Sequence, residues 1–117
     1  MIRFAAVLGF TGVLLGAFGA HGLRSWVSDP HLWEVWDTAA RYQLIHAVAL
    51  LAGSNVCGRA VAVAWGLGVL LFSGSLYAMA LTELRVLGAV TPLGGLCFLV
   101  GWALLFRRGA MSARSGA

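Results

Sequence analysis

Apolar residues are grouped into four long runs that follow one another along the chain. A helix needs about 20 apolar residues to cross the hydrocarbon core of a bilayer, and three of the runs reach that length while the second falls slightly short. Backbone polar groups must be paired inside lipid, so the runs have to be helical. The pattern predicts an all-α membrane protein, a bundle of four transmembrane helices at about 4–23, 42–58, 60–82 and 86–106.

The polar stretch between the first two runs has a helical period of its own. Asp29 and Pro30 form a helix start, because an aspartate caps free N–H groups and a proline suits the first turn. Beyond them, apolar side chains recur at helical spacing, while the opposite face is polar. The apolar positions are Leu32, Val35, Trp36 and Ala39. We predict a short amphipathic helix at about 30–41 that lies on the outer membrane surface, against lipid or against the protein itself.

Composition supports a membrane domain and argues against other classes. Of the 117 residues, 61% are hydrophobic and only 10% are charged, more apolar surface than a soluble domain of this size can bury. We therefore expect one membrane domain over 1–117, in contact with membrane lipid. The net charge of +4 comes from arginines scattered between apolar runs, which argues against a nucleic-acid partner. Cys57 and Cys97 stand alone, without a metal-binding spacing.

The distribution of charges predicts the orientation. Four crossings place the two termini and the turn between the second and third helices on one side, which carries five arginines and no acid: Arg3, Arg59, Arg107, Arg108 and Arg114. The other side carries three arginines and all four acids: Arg24, Arg41, Arg85, Asp29, Glu34, Asp37 and Glu83. The positive-inside rule then places both termini in the cytoplasm. We expect the first run to be a retained helix and not a cleaved signal peptide.

Small residues recur at four- and seven-residue intervals within the runs. Such spacing lets helix backbones approach closely, which is a main source of helix association in lipid. The predicted packing positions are Gly12, Gly16, Ala20, Gly74, Ala78, Gly94 and Gly101.

The polar residues of the runs concentrate at the predicted outer ends. The candidate cluster consists of His21, Arg41, Tyr42, His46, Tyr77, Glu83 and Thr91, with Gln43 at the same level. Two interpretations stand. The cluster is a hydrogen-bonded clamp between helix ends, or it is a binding pocket in which His21, His46 and Glu83 hold a metal ion. Those three residues come from three segments, so their spacing is not a metal signature, and we predict no metal and no cofactor. Catalytic motifs are absent from the sequence, which argues against an enzyme.

Segments of the sequence, taken in order, resemble four signature blocks of the domain-of-unknown-function 423 family, the last two segments together resembling the fourth. They are 16–23 (GAFGAHGL), 41–47 (RYQLIHA), 72–78 (FSGSLYA), 91–95 (TPLGG) and 101–102 (GW). The resemblance implies a bacterial inner-membrane protein with four helices, a similar mitochondrial protein in animals, and no established activity. The residues that match its motifs are His21, Arg41, Tyr42, His46, Ser75, Tyr77, Thr91 and Pro92.

Two functional classes follow from these observations. The first is a structural or accessory subunit that packs with a larger membrane complex or with itself. The small size, the small-residue faces and the lack of catalytic motifs favour it. The second is an ion-, metal- or lipid-binding or transport protein that uses the outer polar cluster.

Overall fold

The computed structural model describes the backbone of residues 1–114 and the side chains of residues 1–110. Within that part of the chain every element is helical. The elements are α1 (Ile2–Ala20), α2 (Leu23–Trp26), α3 (Pro30–Ala52), α4 (Gly58–Gly68), a π-helical segment (Val69–Ser73), α5 (Gly74–Thr82), a 3-10 segment (Arg85–Ala89) and α6 (Thr91–Arg114).

α1 packs against α3, and α3 packs against α5 and the π segment. α6 packs against the π segment and against α4. α1 and α3 are antiparallel, because residues late in α3 meet residues early in α1. Gln43 contacts Leu8, and Trp36 contacts Leu15. Two apolar cores result. One surrounds Trp65 near the α3–α4 turn, and the other surrounds Trp36 near the start of α3.

α3 corrects one part of the sequence prediction. The expected surface helix and the second transmembrane helix are a single helix, Pro30–Ala52, which ends before residue 58. Asp29 caps it by accepting a hydrogen bond from the backbone N–H of His31 at 3.0 Å. After Pro30 no glycine or proline occurs until Gly53, so nothing interrupts the helical hydrogen bonds. Trp36 is only 3% exposed, so the first half of α3 packs on the protein.

Three stretches are long and apolar enough to cross a membrane: Ile2–Ala20, Gly58–Thr82 and Arg85–Ala110. α3 is not among them, because its first half carries Glu34, Asp37 and Arg41. Large apolar side chains point outward from the spanning helices, including Phe10 (72% exposed) and Leu99 (65%). Contiguous exposed apolar surface of this kind requires lipid or a protein partner.

Glycines set the closest helix contacts, though not at every predicted position. A Cβ atom at Gly94 would collide with the backbone of Phe72, and one at Gly101 would collide with the indole of Trp65. Gly12 and Gly16 lie against α3. By contrast, a Cβ atom at Gly74 would meet only the carbonyl oxygen of Val69, in the preceding π segment, at 3.9 Å. Of the two predicted alanines, Ala20 is exposed and Ala78 is half-buried.

Candidate functional site

Gln43 joins three helices through one side-chain amide. Its Nε2 donates to the carbonyl oxygen of Leu8 at 3.0 Å and to the hydroxyl of Thr11 at 2.7 Å, both in α1. Its Oε1 accepts from the hydroxyl of Tyr77 in α5 at 2.9 Å. The amide is buried, with the residue 3% exposed. Both N–H donors and the oxygen are used, so Gln43 acts as a satisfied interhelical clamp.

His46 lies one turn further along α3, inside an aromatic cluster. Its ring stacks on Phe98, with centroids 3.8 Å apart and planes 11° apart, and it meets the edges of Trp65 and Trp102. Nδ1 lies 2.7 Å from the carbonyl oxygen of Tyr42, which can only accept, so Nδ1 carries the proton. Nε2 accepts from the indole N–H of Trp102 at 3.1 Å. Both ring nitrogens are engaged, and His46 is held as the neutral Nδ1–H tautomer.

A second set of hydroxyl groups connects the middle of the Gly58–Thr82 stretch to neighbouring helices. Ser73 ends the π segment, is fully buried, and donates to the carbonyl oxygen of Ala39 in α3 at 2.7 Å. Ser75 and Thr91 are 2.7 Å apart and join α5 to the start of α6. The π turn accommodates one more residue than an α turn and changes the direction in which later side chains point.

The remaining members of the predicted cluster lie elsewhere. Gln43 is level with Leu8, and His21 follows Leu8 by 13 residues, which is about 20 Å along a helix. His21 is exposed at the end of α1. Glu83 is exposed at the end of α5, where it adopts a left-handed conformation with φ of 59°. The polar residues therefore do not share one level. The expectation placed His46 near a helix start, whereas α3 begins four turns earlier, at Pro30.

The structure does not bring the three candidate metal ligands together. Among the described residues no three His, Cys, Asp or Glu side chains converge on a point that could hold a metal ion. His46 has no free ring nitrogen in this arrangement, and the other two candidates lie exposed at helix ends. The buried polar side-chain atoms of the described residues all have hydrogen-bond partners. The buried polar groups of residues 1–110 are therefore used for hydrogen bonds within the bundle.

An open polar cleft lies between α1 and the first half of α3, at the end of α1 opposite the N-terminus. Its volume is about 690 Å³, and its polar lining includes Arg24, Glu34, Asp37 and Arg41. Asp37 and Arg41 form an exposed ion pair of 2.6 Å. Exposed pairs of this type contribute little to stability, so these charges remain available to other groups. The guanidinium of Arg24 lies 4.8 Å from the centre of the Trp33 ring, a cation–π contact.

The sequence prediction placed Trp36 on an apolar helix face but assigned no hydrogen bond to the tryptophans that complete these networks. Trp36 donates to the carbonyl oxygen of Leu15 at 2.6 Å, and Trp65 donates to that of Phe98 at 3.2 Å. Trp65 and Trp102 lie within predicted apolar runs, where a buried indole N–H needs a protein partner, and this was the signal that could have indicated their role.

The fold and these networks define a small helical membrane protein whose polar interior is paired within the bundle. The chain belongs to the family described as "Protein of unknown function (DUF423)", whose pattern matches residues 15–95. The resemblance carried by the sequence blocks is thereby confirmed.

Relatives cover nearly the whole chain. The UPF0382 membrane protein SH2409 of Staphylococcus haemolyticus is 44% identical over 110 residues, 89% of each chain. The UPF0382 inner membrane protein YgdD of Escherichia coli K12 is 42% identical over 113 residues, 90% of this chain and 85% of that protein. The UPF0382 membrane protein YwdK of Bacillus subtilis is 38% identical over 112 residues. No solved structure matches the chain significantly. The relatives support the prediction of a membrane protein, and their names specify no activity.

Proposed function

We propose that this protein is a structural or accessory membrane subunit that associates with other membrane proteins or with itself. The observation that carries the proposal is the complete pairing of buried polar side chains in the described part of the chain. Gln43, Tyr77 and His46 use their hydrogen-bonding groups within the bundle. Because these buried polar groups are already paired, we expect the bundle to act through its surface.

The surface that fits a protein partner best is the polar cleft between α1 and α3. It combines opposite charges with the partly buried ring of Trp33, and polar rims around aromatic anchors are typical of interfaces. The decisive experiment is native mass spectrometry of the protein released gently from its own membranes. We expect masses that include other subunits or multiples of the 12.3 kDa chain. A bare monomer under these conditions would contradict the proposal.

Two charge-reversal variants test whether the cleft is the surface that binds the partner. We expect Glu34→Lys, on the cleft lining, to reduce the associated mass. Glu83→Lys introduces the same charge change at an exposed residue outside the cleft lining and serves as the control. Equal effects of the two variants would argue against the cleft as the binding surface.

We also propose that α3 crosses the membrane, so that the chain spans it four times with both termini in the cytoplasm of a bacterial inner membrane. α3 has 23 residues, about 34 Å of helix, which exceeds the hydrocarbon thickness of about 30 Å. It runs antiparallel to α1 and packs along it. Its buried polar side chains are hydrogen-bonded within the bundle, and Glu34, Asp37 and Arg41 of its first half line the open polar cleft.

Cysteine labelling tests this topology. Single cysteines at Ser28 and Asn55, in a chain without native cysteines, are both at exposed positions flanking α3. We expect a membrane-impermeant maleimide, applied to intact cells, to label Ser28→Cys and to leave Asn55→Cys unlabelled until the cells are opened. The same accessibility for both positions would show that α3 does not cross.

A second candidate function is the binding of a small charged ligand in the same cleft. Two arginines and two acids facing one open volume favour this alternative. An extra mass of less than 1 kDa in the native spectrum, lost in Arg41→Gln, would support ligand binding in place of protein association.

A further inference from the structure

α4 forms a ridge between two apolar grooves on the surface of the bundle. The groove on the α1 side has a volume of about 710 Å³ and is lined by residues that include Phe4 and Leu70. The groove on the α6 side has a volume of about 720 Å³ and is lined by residues that include Leu96. Val63 and Leu67, which line both grooves, form the crest of the ridge.

Arg59 lies at the end of the ridge and lines both grooves. It is the second residue of α4, is exposed, and makes no ion pair within the part of the chain whose side chains are described. The guanidinium of Arg108 lies beside the neighbouring Gly58, where it donates to the carbonyl oxygen of Val56 at 2.6 Å. The guanidinium of Arg108 therefore lies beside the residue that precedes Arg59, so this end of the grooves is basic.

The acidic side chains lie far from this point. All four acids of the chain belong to the start of α3 or to the end of α5. Glu83 follows Arg59 by 24 residues, which is about 36 Å of helix. The end of the bundle around Arg59 therefore attracts anions without local compensation, and a basic pocket between membrane helices is the setting in which anionic lipid headgroups bind.

The dimensions match one phospholipid. From Arg59 to Leu70 the ridge extends 11 residues, about 16 Å, which is close to one leaflet of a hydrocarbon core about 30 Å thick. A diacyl phospholipid has one headgroup and two chains, and this surface has one free arginine and two grooves. Besides Arg59, these grooves have almost no polar lining, which suits acyl chains.

We propose that an anionic phospholipid is bound over α4, with its phosphate at Arg59 and one acyl chain in each groove beside the Val63–Leu67 crest. The site lies at the opposite end from the polar cleft and is independent of the subunit function proposed above. Its ligand is a structural lipid that stays with the protein when the surrounding bilayer is removed.

The test uses the full chain in nanodiscs that contain equal amounts of phosphatidylglycerol and phosphatidylcholine, followed by native mass spectrometry of the retained lipid. One basic residue near an anionic lipid corresponds to a preference of about fivefold. We expect the wild type to retain phosphatidylglycerol over phosphatidylcholine by about that factor, and Arg59→Gln to lose the preference. Arg107→Gln removes the same charge at an exposed position that lines neither groove and should behave as the wild type.

A second variant tests the acyl-chain grooves with the charge intact. Ala60 is exposed and lines the groove on the α6 side, so Ala60→Phe fills that groove without disturbing the core. We expect it to lower phosphatidylglycerol retention, while Ala103→Phe, at an exposed position of α6 outside both linings, leaves retention unchanged. Circular dichroism confirms that each variant is folded.

Four results would overturn the proposal. They are a wild type without preference, an Arg59→Gln variant that keeps the preference, a site that retains inorganic phosphate instead of lipid, and efficient disulfide cross-linking of Val63→Cys between two copies in native membranes. The last result would assign the ridge to an interface between two chains.

Discussion

Replacing Gln43 with leucine removes the amide that connects α1, α3 and α5 and keeps a side chain of similar volume. The wild-type amide makes three interhelical hydrogen bonds, to Leu8, Thr11 and Tyr77. Hydrogen bonds between membrane helices contribute on average about 0.6 kcal/mol each, so Gln43→Leu should lower the free energy of unfolding by about 2 kcal/mol.

A double-mutant cycle assigns part of that loss to a specific contact. Tyr77→Phe removes one of the three bonds and should cost about 0.6 kcal/mol. The double variant should cost no more than Gln43→Leu alone, because the shared bond is already absent, which leaves a coupling energy of about 0.6 kcal/mol. Tyr42→Phe is the matched control. Tyr42 lies in α3 near Gln43, is 40% exposed, and its hydroxyl makes no hydrogen bond among the described residues, so little loss is expected.

The measurement is reversible unfolding from mild-detergent micelles into sodium dodecyl sulfate, followed by tryptophan fluorescence and by circular dichroism. A Gln43→Leu variant as stable as the wild type would refute the clamp. Full additivity of the two substitutions would refute the hydrogen bond between Gln43 and Tyr77, even if each single variant were destabilised.

Two further predictions concern close packing and the buried thiol. Gly94→Ala should destabilise by about 1–3 kcal/mol in the same unfolding assay, because its methyl group would meet the Phe72 backbone. Gly95→Ala, whose methyl group would make only an ordinary contact of 4.0 Å with the Phe72 ring, should not destabilise, and equal effects of the two variants would contradict the close approach at Gly94. Burial raises the pKa of the Cys57 thiol and so lowers its thiolate fraction at neutral pH, although Arg108 opposes the shift. Maleimide should therefore label native Cys57 much more slowly than an exposed cysteine at Asn55 in the same turn, and similar rates would show that Cys57 is accessible.

Much of the candidate site could not be predicted from sequence, for a geometric reason. The pairing of Gln43 with Tyr77 depends on how far each helix is rotated and shifted along its axis. The π segment Val69–Ser73 changes the direction in which the side chains of α5 point, and the sequence shows no clear signal for this segment. Predicting a common level for His21, His46 and Glu83 assumed that a helix begins at the first apolar residue, whereas α3 begins at Pro30.

The class of protein can be assigned from the amino-acid sequence alone, since the length and apolarity of a run depend only on neighbouring residues and on the thickness of the bilayer. The cap at Asp29 can be located in the same way, because a capping interaction is local. Tertiary packing was needed to show that residues 30–52 form one helix packed on α1, that His46 belongs to an aromatic cluster, and that Arg59 lines two grooves. Those features depend on contacts between residues distant in the chain, which are set by packing shape and helix register.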